Sequence, residues 1–198
     1  MKINRMYNAL YSIFTVLVHI LFRIRVTGRD TVPESGAIFC ANHSSWVDPL
    51  IIMVAVPRRS QLHVMAKAEI MTWPFVGWLA RKCGVFGVER GHADIAAVRT
   101  ALTYLKGREN LLIFPEGTRM STEDAAAAKS GIAMMAVRGG VPIVPIYLES
   151  NKKLFHKTRV AIGEPIYPKV AGHRGTSEEY RVIAENTMRM IYELGERK

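Results

Sequence analysis

His43 and Asp48 stand five positions apart in the run Asn42-His43-Ser44-Ser45-Trp46-Val47-Asp48. An imidazole takes a proton from an attacking hydroxyl effectively only if a second group holds its tautomer and stabilises the imidazolium that forms. A carboxylate close enough in sequence to fold back performs both tasks, so the pair reads as an oriented general base. A histidine tethered to an aspartate for structural reasons alone looks the same, and only further residues separate the two readings. Such residues stand in Phe114-Pro115-Glu116-Gly117-Thr118-Arg119, which leaves the end of an apolar run and offers a carboxylate, a flexible glycine and a cation together. By itself that segment is equally a polar turn with a solvated arginine.

A covalent alternative makes Ser44, Ser45 or Cys40 the nucleophile. The chain has no GxSxG turn to expose a serine, and Cys40 falls inside an apolar run, where a thiol is inert. Cys40 and Cys83 are the only cysteines; each lies in an apolar stretch and reads as a buried free thiol of a reducing compartment. With no CxxC pair, a thiolate metal site is not indicated. His63, His92, His156 and His173 have no recognisable partners and read as surface or structural residues.

The elements that must position these groups follow from the apolar pattern. Short apolar runs alternate with helical stretches after Arg25, which predicts an α/β domain. Gly36 to Ala41 reads as a buried strand ending just before His43, at the strand edge where ligands of open α/β sheets bind. Asp48 as N-cap and Pro49 in the first turn predict a helix to Val56, ended by Pro57. Leu62 to Ala66, Val85 to Val88, Leu111 to Phe114 and Val160 to Ile166 read as strands. Asp94 to Leu105 and Ala125 to Val137 read as helices, the second stopping at Gly139-Gly140. Val141 to Leu148 carries two prolines in an extended run, which predicts an edge or irregular strand. A last helix begins near Ser177. Trp73, Phe75 and Trp78, within the apolar stretch Ile70 to Ala80, suit the lining of an apolar tunnel, an interfacial patch or ordinary core packing.

Residues Met6 to Phe22 form an apolar segment with Lys2 and Arg5 before it and Arg23 and Arg25 after it. It is short for a bilayer span and interrupted by Asn8, Ser12, Thr15 and His19, and cationic flanks suit a helix lying in the headgroup region of an anionic leaflet. A helix packed on the protein's own core is the plainer reading. Across 198 residues the formal charge is +10, which predicts an anionic partner. No zinc finger spacing, basic heptad helix or aromatic RNA-binding run is present, so a lipid surface or a phosphorylated substrate is favoured over nucleic acid.

The blocks NHxxxxD, FPEGTR and VPIVPI, in this order and at these intervals, resemble those of the glycerolipid acyltransferase family, in particular its small bacterial 1-acylglycerol-3-phosphate acyltransferases. The resemblance covers about Ile24 to Leu148. It implies a single α/β domain over residues 26–198, a mixed sheet flanked by helices, with a membrane-associated helical segment over 1–25. It also implies acyl-CoA or acyl carrier protein as donor, lysophosphatidic acid as acceptor, no metal or cofactor, and a place on the cytoplasmic face of the cell membrane. Under it, His43 and Asp48 become the base and its orienting partner. Arg90 becomes a phosphate ligand, with Glu89 where the family usually has Asp. Glu116, Gly117, Thr118 and Arg119 position the acceptor, Met120 standing where Ser is frequent, and Lys129 becomes a third cation.

The chemistry agrees with the resemblance. Arg90 and Arg119 suit bidentate phosphate binding. Attack on a thioester produces an oxyanion, which needs donors from the start of the Pro49 helix or from around Gly117. Transfer to another lysolipid such as a lyso-ornithine lipid, hydrolysis of the acyl donor, and non-catalytic lipid binding are the competing readings of the same residues.

Overall fold

The structure, a computed structural model of the protein, describes residues 5–34, 36–89, 94–115, 130–172 and 174–197. Its strands are the short, almost wholly apolar runs: β1 (Arg25–Thr27), β2 (Ile38–Ala41), β3 (Leu62–Lys67), β4 (Phe86–Val88), β5 (Asn110–Ile113), β6 (Ile143–Leu148) and β7 (Arg159–Ile162). They form one sheet in the order β1-β7-β6-β2-β5-β3-β4. Every neighbouring pair is parallel except β6 with β7, so the sheet is mixed. Burial on both faces explains the absence of alternation in β2, whose four residues are all buried.

Successive side chains of β2 enter two different cores. Phe39 and Ala41 join the core beneath α1 (Arg5–Phe22) and α2 (Asp48–Ala55). Ile38 and Cys40 face the core beneath α4 (Ile95–Lys106), α5 (Gly131–Gly139) and α6 (Ser177–Glu196). Between β3 and β4 run a 3-10 turn, Ala68–Thr72, and the short helix α3 (Pro74–Lys82). The helix ends follow local chemistry. Asp94 caps α4 by accepting from the Ala97 amide at 2.9 Å, and Thr176 and Glu179 form a reciprocal capping box at α6. Gly140, at φ 63°, stops α5 in the left-handed region, as the glycine pair predicts. Residues 125–129 of the predicted helix lie outside the described residues.

Helix α1 buries one face and exposes the other. Tyr7, Tyr11, Val18 and Phe22 are buried, whereas Ile13, Val16, Leu17 and Ile20 are 45–61% exposed. By length and composition α1 could cross a membrane, yet it is anchored laterally on α2. The Tyr11 hydroxyl donates to the Val56 carbonyl at 3.2 Å, and Arg29 donates to the same carbonyl at 3.1 Å.

Two expectations are corrected. Of the edge or irregular position expected for the strand with two prolines, the edge is not found: β6 lies inside the sheet between β2 and β7, and Pro145 falls where the pairing with β7 becomes irregular. Pro142 precedes the strand, and Pro145 is tolerated because of which side its missing N–H would face. The Ile143 amide donates toward the β7 side, to Ile166, and donors alternate along a strand, so position 145 faces that side as well. There the partner chain leaves the ladder at Gly163–Pro165 and needs no donor; the Gly163 amide instead donates to the Pro145 carbonyl at 2.8 Å. The predicted strand to Ile166 accordingly ends at Ile162, with Ile166 paired alone. The second correction concerns Asp48, which is not an N-cap. Val47 occupies that position without a side-chain cap, because the Asp48 carboxylate is engaged elsewhere.

Candidate active site

Asn42, the residue after β2, is 3% exposed and fastens the strand end to β6. Its amide donates to the Leu148 carbonyl at 2.7 Å, and the Leu148 amide donates back at 2.8 Å. This two-way link closes the β2–β6 edge where the ladder stops and fixes the point from which residues 43–47 leave. That loop folds around one carboxylate. His43 Nδ1 donates to Asp48 Oδ2 at 3.0 Å, and the Ser44 and Ser45 amides donate to the same oxygen at 2.7 and 2.8 Å. The expected fold-back of Asp48 onto His43 is thus present.

The other carboxylate oxygen meets a residue that the sequence does not single out. Lys152 Nζ lies 2.9 Å from Asp48 Oδ1, and the two side chains are 4% and 0% exposed. The same ammonium donates to Ser44 Oγ at 2.7 Å and to the Glu149 carbonyl at 2.8 Å. In sequence Lys152 sits in a basic run after β6 that looks solvated, and only the parallel neighbours β2 and β6 bring that run beside His43. Burial by itself would raise the Asp48 carboxyl. The hydrogen bond from His43, the Lys152 charge and the Ser45 amide outweigh it and hold Asp48 below the ordinary carboxyl range. Asp48 is therefore a fixed anion that holds the His43 ring through its Nδ1 N–H.

Phe114, the first residue of the second sequence block, stacks on the His43 ring with centroids 4.0 Å apart. The two blocks are thereby brought together at adjacent strand ends, β2 beside β5. Glu116, Gly117, Thr118, Arg119, Arg90 and Lys129 lie outside the described residues. Lys67, on the cavity wall and paired with Glu69 at 2.6 Å, is a cation to which no sequence motif points.

His43 and Phe114 form part of the wall of an apolar cavity of about 380 Å³, a size ordinary for a small-ligand site. Exposed Trp46, Trp73 and Val76 and buried Tyr7 and Leu62 line it. The aromatic stretch divides: Trp73 lines the cavity and stacks near Trp46, whereas Phe75 and Trp78 lie outside that lining, 71% and 46% exposed.

Most amides at the start of α2 are already engaged. The Ser44 and Ser45 amides hold Asp48. The amides of Asp48, Leu50 and Ile51 bond to the Ser45 and Val47 carbonyls, and Pro49 has none. Of the alternative nucleophiles, Cys40 is fully buried in the core and Ser44 is engaged by Lys152. Cys83 borders the cavity, but burial pushes its thiol up, which makes the thiolate scarce. His63 is structural, as expected, although it has partners. It stacks on Tyr104 with centroids 3.9 Å apart and bonds Glu109 and the Gly84 carbonyl. His156 bonds the Leu154 carbonyl; His92 and His173 lie outside the described residues. Among the described residues no three His, Cys, Asp or Glu side chains cluster as metal ligands.

An oriented His–Asp pair thus stands at the carboxyl edge of a parallel strand of an α/β fold, beside an apolar cavity. The chain belongs to the acyltransferase family, whose model matches residues 23–149. It is 29% identical over 195 residues to the 1-acyl-sn-glycerol-3-phosphate acyltransferase of Bacillus subtilis, covering 96% of each chain. A lyso-ornithine lipid O-acyltransferase of Pseudomonas aeruginosa is 35% identical over 133 residues, which are 66% of this chain and 49% of that one. In fold, the chain matches the crystal structure of the 1-acyl-sn-glycerophosphate acyltransferase PlsC from Thermotoga maritima with a TM-score of 0.68 at 23% identity, over 99% of both chains.

Proposed function

We propose that the protein transfers a fatty acyl group from acyl-CoA or acyl carrier protein to the sn-2 hydroxyl of 1-acylglycerol-3-phosphate, giving phosphatidic acid. The observation that carries this reading is the His43–Asp48 pair on the wall of the apolar cavity. His43 Nε2 takes the hydroxyl proton as the oxygen attacks the thioester carbon. The C–S bond then breaks, and the departing thiolate recovers a proton from the imidazolium. Asp48 keeps the Nδ1 proton in place throughout, and Lys152 keeps Asp48 anionic. The acyl chain lies against Trp73, Val76 and Leu79. Arg90 and Arg119 bind the acceptor phosphate, with Glu116, Gly117, Thr118 and Lys129 completing that end.

The protein acts on the cytoplasmic face of the cell membrane. Residues 1–25 lie in the interface, the exposed row Ile13, Val16, Leu17 and Ile20 meeting the acyl boundary, and residues 26–198 form the catalytic domain. The relative from Bacillus subtilis, matched over nearly its whole length, supports the lysophosphatidic acid acceptor.

The test is acyl transfer by membrane-reconstituted protein from labelled acyl-CoA and acyl carrier protein, with lysophosphatidic acid, lyso-ornithine lipid or no acceptor. Labelled phosphatidic acid with the first acceptor alone is the expected result. Product only with lyso-ornithine lipid would keep the mechanism and replace the acceptor, and free fatty acid without acceptor would make the protein a hydrolase.

A further inference from the structure

The loop between β6 and β7, residues 149–158, carries two features that the catalytic reading does not use. At its tip Leu154 and Phe155 are 56% and 61% exposed. Phe155 has φ 62°, a left-handed conformation that a bulky L side chain adopts rarely and at a cost. That backbone is pinned from behind: the Phe155 amide donates to the Leu21 carbonyl and the Thr158 amide to the Phe22 carbonyl, both in the last turn of α1. The loop is thereby held against the end of the helix that carries a row of exposed aliphatic side chains. Around the tip Lys153, Lys157, Arg23 and Arg25 are all exposed, and residues 150–158 contain no acidic side chain.

We infer that the tip of this loop is a second membrane anchor, its Leu154–Phe155 pair entering the acyl boundary of an anionic bilayer while the surrounding lysines and arginines meet the headgroups. An apolar pair fringed by cations is complementary to such a surface and to little else in water. The same loop delivers Lys152 to Asp48 and Ser44. One residue, Lys153, separates the anchor pair from Lys152, whose ammonium holds the catalytic carboxylate, so seating the tip in the bilayer restrains Lys152 and steadies the His43–Asp48 pair. The inference rests on the proposed membrane acyltransferase activity for its second half only; bilayer contact is measured without any turnover.

The full chain is titrated in flotation with vesicles of equal parts phosphatidylglycerol and phosphatidylcholine. For the double variant Leu154→Ser/Phe155→Ser, the lipid concentration at half-binding rises roughly ten-fold or more, from the apolar area withdrawn from the bilayer. Ile95→Ser, at a 64% exposed position on α4, leaves it unchanged. Lys153→Gln/Lys157→Gln weakens binding to the mixed vesicles but not to pure phosphatidylcholine. Melting curves of all variants overlay that of the parent. Flotation of the Leu154→Ser/Phe155→Ser variant equal to the parent's overturns the anchor, whether or not transfer activity is found. For the coupling, kcat of the same variant is read at saturating vesicles and on a short-chain lysophosphatidic acid below its micellar concentration. A several-fold fall on vesicles with kcat preserved on the soluble acceptor is expected. An unchanged kcat at saturating vesicles would overturn the link to Lys152 while leaving the anchor standing.

Discussion

Two histidine–carboxylate pairs sit at opposite edges of the same parallel strands. His43 with Asp48 leaves the carboxyl end of β2; His63 with Glu109 lies where β3 and β5 begin, since Leu62 pairs with Asn110. Both rings are nearly buried and both stack on an aromatic side chain. The partners differ. Asp48 is fully buried and receives an imidazole, two amides and an ammonium, whereas Glu109 is 34% exposed. At His63 both ring nitrogens are engaged by oxygen acceptors, the Gly84 carbonyl and Glu109, and the ring lies on the face of β3 opposite the cavity-lining Leu62 and Val64. Gly84, at φ 83°, is required there, because a Cβ would stand 2.5 Å from His63 Nδ1. The same residue types therefore border the cavity in one place and brace the opposite strand edge in the other, the first being the base and the second a buttress under the proposed function. What separates them is the strand edge, as the general rule for open α/β sheets leads one to expect.

Substitutions that treat the two pairs alike should give opposite results. His43→Ala is expected to lower kcat/KM at least ~10²–10⁴-fold, the ordinary worth of a general base, with a melting temperature close to the parent's. An acyl-transfer assay beside a thermal melt checks this, and transfer surviving at the parental rate would remove His43 from the mechanism.

Asp48→Asn is expected to lower kcat by a factor of the same order, since the amide cannot hold the Nδ1 proton or an imidazolium. It also carries a signed pH effect. The folded-state carboxyl lies below its ordinary value of 3.8, so its contribution to stability is fully present above that value and is lost as pH falls through the depressed folded value. The gap in melting temperature between parent and Asp48→Asn should thus be constant near neutrality and shrink below about pH 4. A gap that widens on acidification would contradict the assignment.

Lys152→Met should lower kcat on the order of 10-fold with little change in donor KM. Lys152 reaches the reaction only through Asp48, so the same substitution made on the Asp48→Asn background should have almost no further effect on kcat. Strict additivity in that cycle would reduce Lys152 to a folding role.

The smallest effect on turnover belongs to the buttress. His63→Ala is expected to leave kcat within about 3-fold while destabilising the fold by ~1–3 kcal/mol, from the loss of a stacked, doubly bonded ring. A denaturant titration paired with the same transfer assay measures both. A collapse of kcat without loss of stability would erase the distinction between the two edges.

Much of the site is legible in the sequence because it is local. His43 and Asp48 fall within a single strand exit, so their spacing suffices to pair them, whereas the stacking of Phe114 on His43 depends on β5 lying beside β2. Helices α4 and α6 are legible for the same reason, their caps and apolar faces being written within a few residues. Lys152 is not legible: a lysine among Asn151 and Lys153 has no feature that distinguishes a buried ammonium from a solvated one. The position of β6 misleads for a related reason. Two prolines argue for an edge when a strand is considered alone, and only the break in β7 opposite Pro145 removes the need for a donor. The role of Asp48 is half legible, since its contact with His43 follows from their spacing but its reading as a helix cap is not fulfilled.

By itself, then, the sequence determined the class of fold, the pairing of His43 with Asp48 and the amphipathic first helix, because these depend on residue types at short spacing and on hydrophobic period. Only the tertiary structure decided that His63 also has a carboxylate partner yet serves as a buttress, which lysine is buried against Asp48, and which aromatic rings line the cavity. Those outcomes depend on strand order and on which face of the sheet a side chain enters, and both are set by packing between segments far apart in the chain.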